Sequence, residues 1–258
     1  MVRLLNSLGA TAIGALEQAG RVATLFAQAA LWLFRPPLRL RLIFKQMEAI
    51  GVNSLPVVII TATFTGGVLA LQTFAGFKRF NAESLVGAVV ALSMTRELGP
   101  VLTALIVAGR AGSAIAAELG TMRVTEQIDA LDSLATNPVQ YLIVPRVLAG
   151  LIMLPLLSLT ADALGVLGGW LVGTKLLGIN PNLYVRSTFD ILDINDIMSG
   201  LTKAAFFGTI IAHIGCYCGF YTGGGAEGVG RATTRSVVIS SMAILIGDYF
   251  LSALLFSK

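Results

Sequence analysis

Residues 94–136 read MTRELGPVLTALIVAGRAGSAIAAELGTMRVTEQIDALDSLAT. The stretch places an arginine and a glutamate, Arg96 and Glu97, inside a segment that otherwise reads as membrane-spanning, and it ends in a short polar helix that reads as water-exposed. Charged side chains within a bilayer are costly and mark a paired or functional position. A charged spot in a span, followed by an exposed docking element, implies work across a membrane that is driven from outside the chain.

The rest of the sequence agrees with a membrane setting. Of its 258 residues, 55% are hydrophobic and 12% charged, and mean hydropathy is +0.82; soluble domains carry roughly 25% charged residues. Only helices or closed barrels satisfy their backbone in lipid, and the apolar runs here are far longer than the roughly ten-residue alternating strands of a barrel. The fold class expected is therefore an all-α polytopic membrane protein. A net charge of +4 would suit nucleic acid, but the basic residues are scattered between apolar segments, as orientation of a membrane protein requires. No nucleic-acid partner is expected. Cys216 and Cys218 lie two apart in an apolar segment, so on a helix they point to nearly opposite sides and imply neither a disulfide nor a metal site. The N-terminus lacks the continuous apolar core of a removable signal peptide.

Residues 1–35 are amphipathic, with Leu4, Leu8, Leu16, Val22, Phe26 and Leu33 near helical spacing and Glu17, Gln18 and Arg21 among them. Such a helix suits the interface plane; as a first span it would bring those three polar residues near the bilayer centre. Pro36 and Pro37 end it, and Arg35, Arg39, Arg41 and Lys45 form a basic cluster for the cytosolic face. Five spans follow, over residues 54–77, 85–108, 141–179, 201–222 and 237–256, the first long enough for a hydrocarbon core of about 30 Å. Gly66, Gly67 and Ala70 thin one face of the first for close helix approach. Gly99 and Pro100 loosen the second beside its charges. The third, with Pro145 and Pro155, is one long bent span entered through an interfacial turn. Residues 118–134 form the short amphipathic helix, with Val124, Ile128, Leu131 and Ala135 on one stripe; it is too short to stand alone in water, so a partner surface is implied. Residues 180–196 read as an external loop and 223–235 as a glycine-rich cytosolic turn. The balance of basic residues puts the N-terminus inside and the C-terminus outside.

The nearest approach to a nucleotide loop is GGWLVGTK at 168–175, with its last two residues reversed and no strand before it. Any ATPase is therefore another chain. Arg96 and Glu97 diverge by about 100° on a helix. They read either as structural charges set against neighbouring helices or as a polar spot in a cavity, where a guanidinium suits a lipid phosphate. Asp162, Lys203, His213 and Asp248 could carry a proton or ion path, or simply join helices. No serine, histidine and acid combination suggests hydrolysis, and no metal-ligand cluster is present in the sequence pattern. Leu69, Leu71, Phe74, Phe77 and Phe80 make an apolar, aromatic run at the outer end of the first span, suited to lipid packing or to a cavity for acyl chains.

The motif from Arg96 to Leu131, with GVLALQ at 67–72 before it and GRATTRSVV and SSMAILIGDYFLSALLF after it, resembles the MlaE family of ABC-transporter permeases over essentially the whole chain. The resemblance implies a non-catalytic, homodimeric permease in the inner membrane of a Gram-negative bacterium. Its implied partners are a cytosolic ABC ATPase that binds ATP and magnesium, a periplasmic MCE-domain lipid-binding ring and a STAS-domain protein. The implied cargo is phospholipid, moved between inner and outer membranes to maintain outer-membrane lipid asymmetry. It further implies a lipid cavity lined by Leu69, Gln72, Phe77, Phe80, Arg96 and Glu97. The coupling helix would be seated on the ATPase through Glu118, Arg123, Val124, Glu126, Ile128, Asp129 and Leu131. Two other readings compete on the residues alone: an ion-coupled carrier using Asp162, Lys203 and Asp248, and a membrane scaffold that transports nothing.

Overall fold

The computed structural model describes residues 2–33 and 39–256. Arg35, Pro36, Pro37 and Lys258 lie outside the described residues, as do the side chains of Leu4, Leu8, Gln18 and Leu33. Among the described residues there are no strands; the helices are α1 (Val2–Leu33), α2 (Leu40–Ile50), α3 (Leu55–Phe77), α4 (Val86–Ser93), α5 (Gly99–Val107), α6 (Ser113–Val124), α7 (Gln127–Ser133), α8 (Val144–Leu171), α9 (Pro181–Ile191), α10 (Ile194–Phe220) and α11 (Gly225–Phe256). Five helical runs are long and apolar enough to cross a membrane: Leu40–Phe80, Glu83–Val124, Val139–Leu176, Ile194–Phe220 and Gly225–Leu255. The chain is an all-α polytopic membrane protein.

Helix α1 buries Leu25 and Ala29 while Leu16, Phe26 and Leu31 remain exposed. The Phe26 ring lies 4.3 Å from that of His213 in α10, and Arg21 approaches the Tyr221 ring at the end of α10. Helix α1 thus packs against the C-terminal half of α10. Helix α2 presents Ile43 and Ile50 to α8 and keeps its other faces open. A single tight turn at Val52–Ser54 separates it from α3, so the first run starts well before residue 54. Arg110 holds that turn: its Nε donates to Ser54 Oγ (2.8 Å) and its Nη2 to the carbonyls of Ala49 and Ile50.

Two wide π turns, Met94–Leu98 and Ala108–Gly112, divide the second run into α4, α5 and α6. At 42 residues it is about 63 Å long, twice a hydrocarbon core of about 30 Å, so α6 projects beyond the membrane. The helix therefore continues past residue 108. The helix expected over 118–134 is two pieces, because Glu126 takes a left-handed backbone (φ 59°) between α6 and α7.

The third run is a single helical element with Pro155 inside it. Both α3 and α10 pack along it by backbone contact. A Cβ at Gly66 would overlap the Gly165 carbonyl, and one at Gly208 would overlap that of Gly150; small residues let membrane helices meet this closely. The external loop expected at 180–196 is instead largely helix. Asn180 caps α9, its side chain accepting from Asn182 N with Pro181 in the first turn, a favoured start. Tyr184 and Thr188 are buried against α4, where Gly87 leaves room for them. Asp193 and Asp196 form a reciprocal capping box that starts α10. The turn expected at 223–235 is likewise short, since α11 is helical from Gly225. Helix α11 is the outlier of the bundle, burying Ser236, Ser240 and Ile244 but exposing Met242, Leu245, Tyr249, Phe250 and Leu254.

Candidate functional site

The wide turn at Met94–Leu98 places Arg96 and Glu97 on the α10 side of the second run, where each meets a different partner. Arg96 Nε donates to Asp196 Oδ1 (2.8 Å), and its Nη2 lies 2.6 Å from the same oxygen. Glu97 Oε2 accepts from Lys203 Nζ at 2.7 Å. Asp196 and Lys203 are seven residues apart, two turns along one face of α10, so adjacent residues of the second run reach one ridge of its neighbour.

Lys203 is the hub. Its ammonium also donates to Ser252 Oγ (2.7 Å) and to the Arg96 carbonyl (3.0 Å), which uses its three N–H groups. It also lies 3.1 Å from Asp248 Oδ1, completing an ion pair. Ser252 Oγ donates in turn to Glu97 Oε1 (3.1 Å). Three helical runs are thereby joined through two cations and three carboxylates. The Lys203 side chain is wholly buried, whereas those of Arg96 and Glu97 are 39% and 42% exposed. The pairing satisfies the charges while part of each of these two side chains stays accessible.

Of the residues considered for an ion path, only Lys203 and Asp248 come together. Asp162 is buried against Gly99, with Oδ1 lacking a hydrogen-bond partner. His213 uses Nδ1 on the Thr209 carbonyl and stacks near Phe26.

An apolar groove of about 460 Å³ runs along α3, lined by Ile60, Thr61, Phe64, Thr65, Val68, Leu69 and Gln72, with Leu98 from the second run. Leu69 and Gln72 line it. Leu98 is the next residue after Glu97, so the groove reaches the wide turn that carries the ionic network. Phe77 is half-buried beyond the groove, and Phe80, 80% exposed, stands at the far end of the run. Sequence reading passed over Ile60, Phe64 and Val68, large apolar residues whose four-residue spacing was the available sign. It also passed over Asp196, placed in a loop although it closes an Asp-x-x-Asp cap before an apolar run.

At the projecting end of the second run, Glu118 and Arg123 belong to α6, Glu126 to the break, and Ile128, Asp129 and Leu131 to α7. Glu118 pairs within the chain, Oε2 to Arg146 Nη2 at 2.7 Å, and Arg123 pairs with Asp129 at 2.6 Å. Ile128 is buried in the chain's own core, Leu131 packs partly against it, and Val124 is 39% exposed. The stripe read from sequence is thus divided: Ile128 secures α7 to the bundle, while Val124, Glu126 and one side of Asp129 face outward.

A family model described as permease MlaE matches residues 43–254. A protein of Rickettsia felis described as a probable ABC transporter permease is 51% identical over 256 residues, covering 99% of each chain. The Haemophilus influenzae intermembrane phospholipid transport system permease protein MlaE is 38% identical over 259 residues, covering 99% of this chain and 98% of its own. The Arabidopsis thaliana chloroplastic protein trigalactosyldiacylglycerol 1 is 40% identical over 235 residues, covering 91% of this chain and 67% of its own. Helical runs, central motif and full-length similarity agree: the chain belongs to the MlaE permease family and is a multi-pass ABC-transporter permease.

Proposed function

We propose that the chain is the lipid-conducting subunit of a phospholipid transporter of a bacterial inner membrane, moving lipid between inner and outer membranes and so maintaining outer-membrane lipid asymmetry. The observation that carries the reading is the apolar groove along α3, which meets the wide turn bearing the half-open Arg96 and Glu97. Acyl chains suit the groove walls, and a guanidinium suits a phosphate. Leu69 and Gln72 would contact lipid directly. Arg96 and Glu97 would meet the polar end, and Phe77 and Phe80 would guide the exit.

The chain would work as a homodimer without catalytic residues of its own. A separate ABC ATPase, holding ATP and magnesium, would push on the α6–α7 corner through Glu126, Val124 and Asp129. A periplasmic MCE-domain ring and a STAS-domain protein would complete the assembly. In this reading the N-terminus and the corner are cytoplasmic and the C-terminus periplasmic. ATP-driven movement of the corner would travel along the continuous second run to the network at its middle, as a rigid element between two arrangements.

The test is to purify the chain from membranes with whatever stays attached, then measure bound phospholipid and ATPase activity in the natural protein, Glu126→Lys and Leu69→Arg. Phospholipid with the natural chain, ATPase lost in Glu126→Lys and lipid lost in Leu69→Arg are the results expected. A chain that carries neither lipid nor a nucleotide-hydrolysing partner would overturn the reading and direct attention to ion movement through Lys203 and Asp248.

A further inference from the structure

Where α2 meets the start of the third run, an open pocket of about 690 Å³ is lined chiefly by Arg39, Arg41, Phe44, Lys45, Glu48 and Tyr141. Three cations face one carboxylate there. None of the three forms an ion pair among the described residues. Arg39 instead lies over the Tyr141 ring, 4.6 Å from its centroid, a stacking that fixes a guanidinium while leaving its N–H edge open. Arg41, Lys45 and Glu48 are solvent-exposed.

The depth of this pocket names its occupant. Helix α3, at 23 residues, is about 34 Å long and by itself fills a hydrocarbon core of about 30 Å. Helix α2, on the near side of the Val52–Ser54 turn, therefore lies at headgroup level. Leu40 and Phe44 are 62% and 65% exposed beside the cations, as suits a helix that dips its apolar side among acyl chains while basic side chains meet phosphates. Two crossings, by the first and second runs, place this end of the bundle on the same membrane face as the α6–α7 corner. Groove and pocket lie on separate elements, the groove on α3 and Leu98, the pocket on α2 and Tyr141.

We infer that the pocket formed by Arg39, Arg41, Lys45 and Tyr141 binds the phosphate of a resident anionic phospholipid in the leaflet on the α7 side of the membrane. Arg39, fixed on Tyr141, supplies a directed donor edge; Arg41 and Lys45, one turn apart on α2, supply the remaining positive charge. Such a lipid steadies the N-terminal end of α2, whose other end Arg110 already holds. The site does not depend on phospholipid being the transported cargo.

The detergent-purified chain, with any attached partners, is titrated with phosphatidylglycerol or phosphatidylcholine, and bound lipid is counted by native mass spectrometry. Phosphatidylglycerol is expected to bind at least tenfold more tightly. Removing charge by Arg39→Gln, Arg41→Gln and Lys45→Gln, singly and together, is expected to weaken it on the order of fivefold per charge. The charge-keeping variants Arg41→Lys and Lys45→Arg, and the groove variant Leu69→Arg, are expected to retain it. The single variants preserve the test should the triple variant fail to fold. Equal binding of the two lipids, or unchanged binding after charge removal, overturns the proposal. So does displacement of phosphatidylglycerol by an equal concentration of inorganic phosphate, which marks a free-anion site, or by a glutamate-rich peptide, which marks a protein partner.

Discussion

Lys203 Nζ and Glu97 Oε2 meet at 2.7 Å across the contact between α10 and the second run, and the Lys203 side chain is wholly buried. The lysine holds Glu97 on one side and Asp248 on the other, so it separates two carboxylates that would otherwise repel in a low-dielectric setting. Removing one partner from a buried ionic group is costly because the remaining charges lose their compensation, typically by about 3–5 kcal/mol. Lys203→Met is therefore expected to lower the thermal unfolding midpoint of the detergent-purified protein sharply. Combining it with Glu97→Gln and Asp248→Asn removes all three charges together and is expected to recover more than half of the loss. A Lys203→Met variant as stable as the natural protein would show that the hub contributes nothing to the bundle.

The packing of α3 on α8 gives a second expectation with an internal control. Gly66 touches the Gly165 backbone, so a methyl group there forces the helices apart, whereas Gly76 in the same helix has nothing within 4 Å of a Cβ. Overpacking of a tight contact costs about 1–3 kcal/mol or more, while alanine in an open helical position gains up to about 1 kcal/mol over glycine. Gly66→Ala should destabilise and Gly76→Ala should be neutral or stabilising, as read from unfolding in detergent. Equal behaviour of the two would contradict the close approach.

The five membrane runs were legible in the sequence because lipid demands long apolar helices, and that demand is written in consecutive residues. What joins the runs was not. Arg96 and Asp196 are one hundred positions apart, and no local pattern ties them; only the register of α10 against the second run does. Helix α9 was hidden by its polar composition, with Arg186 and Asp190 on its open side, although Asn180-Pro181 and the Asp193–Asp196 cap marked both of its ends. The stripe of Val124, Ile128 and Leu131 was visible as a pattern, but periodicity shows that an apolar side chain is buried without showing whether its cover is a partner or the chain itself. For Ile128 the cover is the chain's own core.

That division at the α6–α7 corner separates two roles. Ile128→Ala removes a fully buried side chain and is expected to cost about 2–4 kcal/mol, felt first as faster proteolysis and amide exchange in α7. Glu126 is exposed and left-handed, a conformation that costs a side-chain-bearing residue roughly 1–2 kcal/mol. Glu126→Gly is expected to stabilise the corner while removing its charge, whereas Glu126→Lys keeps the strain and reverses the charge. If the charge seats a partner, both variants lose ATPase association, the lysine variant more. If only the shape of the break matters, the glycine variant assembles normally.

Tyr184 lies outside the spans, buried in α9 against Gly169 and Gly173 of the third run, with Oη lacking a hydrogen-bond partner. Burial pushes its phenol up to about 12 from an ordinary value of 10.0, because the phenolate would lose its hydration. A group whose folded pKa is raised favours the folded state below its unfolded pKa, and that contribution disappears as pH rises through the folded value. Stability should thus fall as pH rises from 10 to 12 through Tyr184 ionisation. Tyr184→Phe removes both the unpaired hydroxyl and this titration. Because an unsatisfied buried donor costs about 1–3 kcal/mol, the variant is expected to be at least as stable as the natural protein at pH 7 and to lose less stability above pH 10. Unfolding curves for the two proteins at pH 7 and pH 11 decide it: a parallel loss in both would assign the alkaline sensitivity to other groups, and a loss at pH 7 would mean that the buried hydroxyl stabilises the fold.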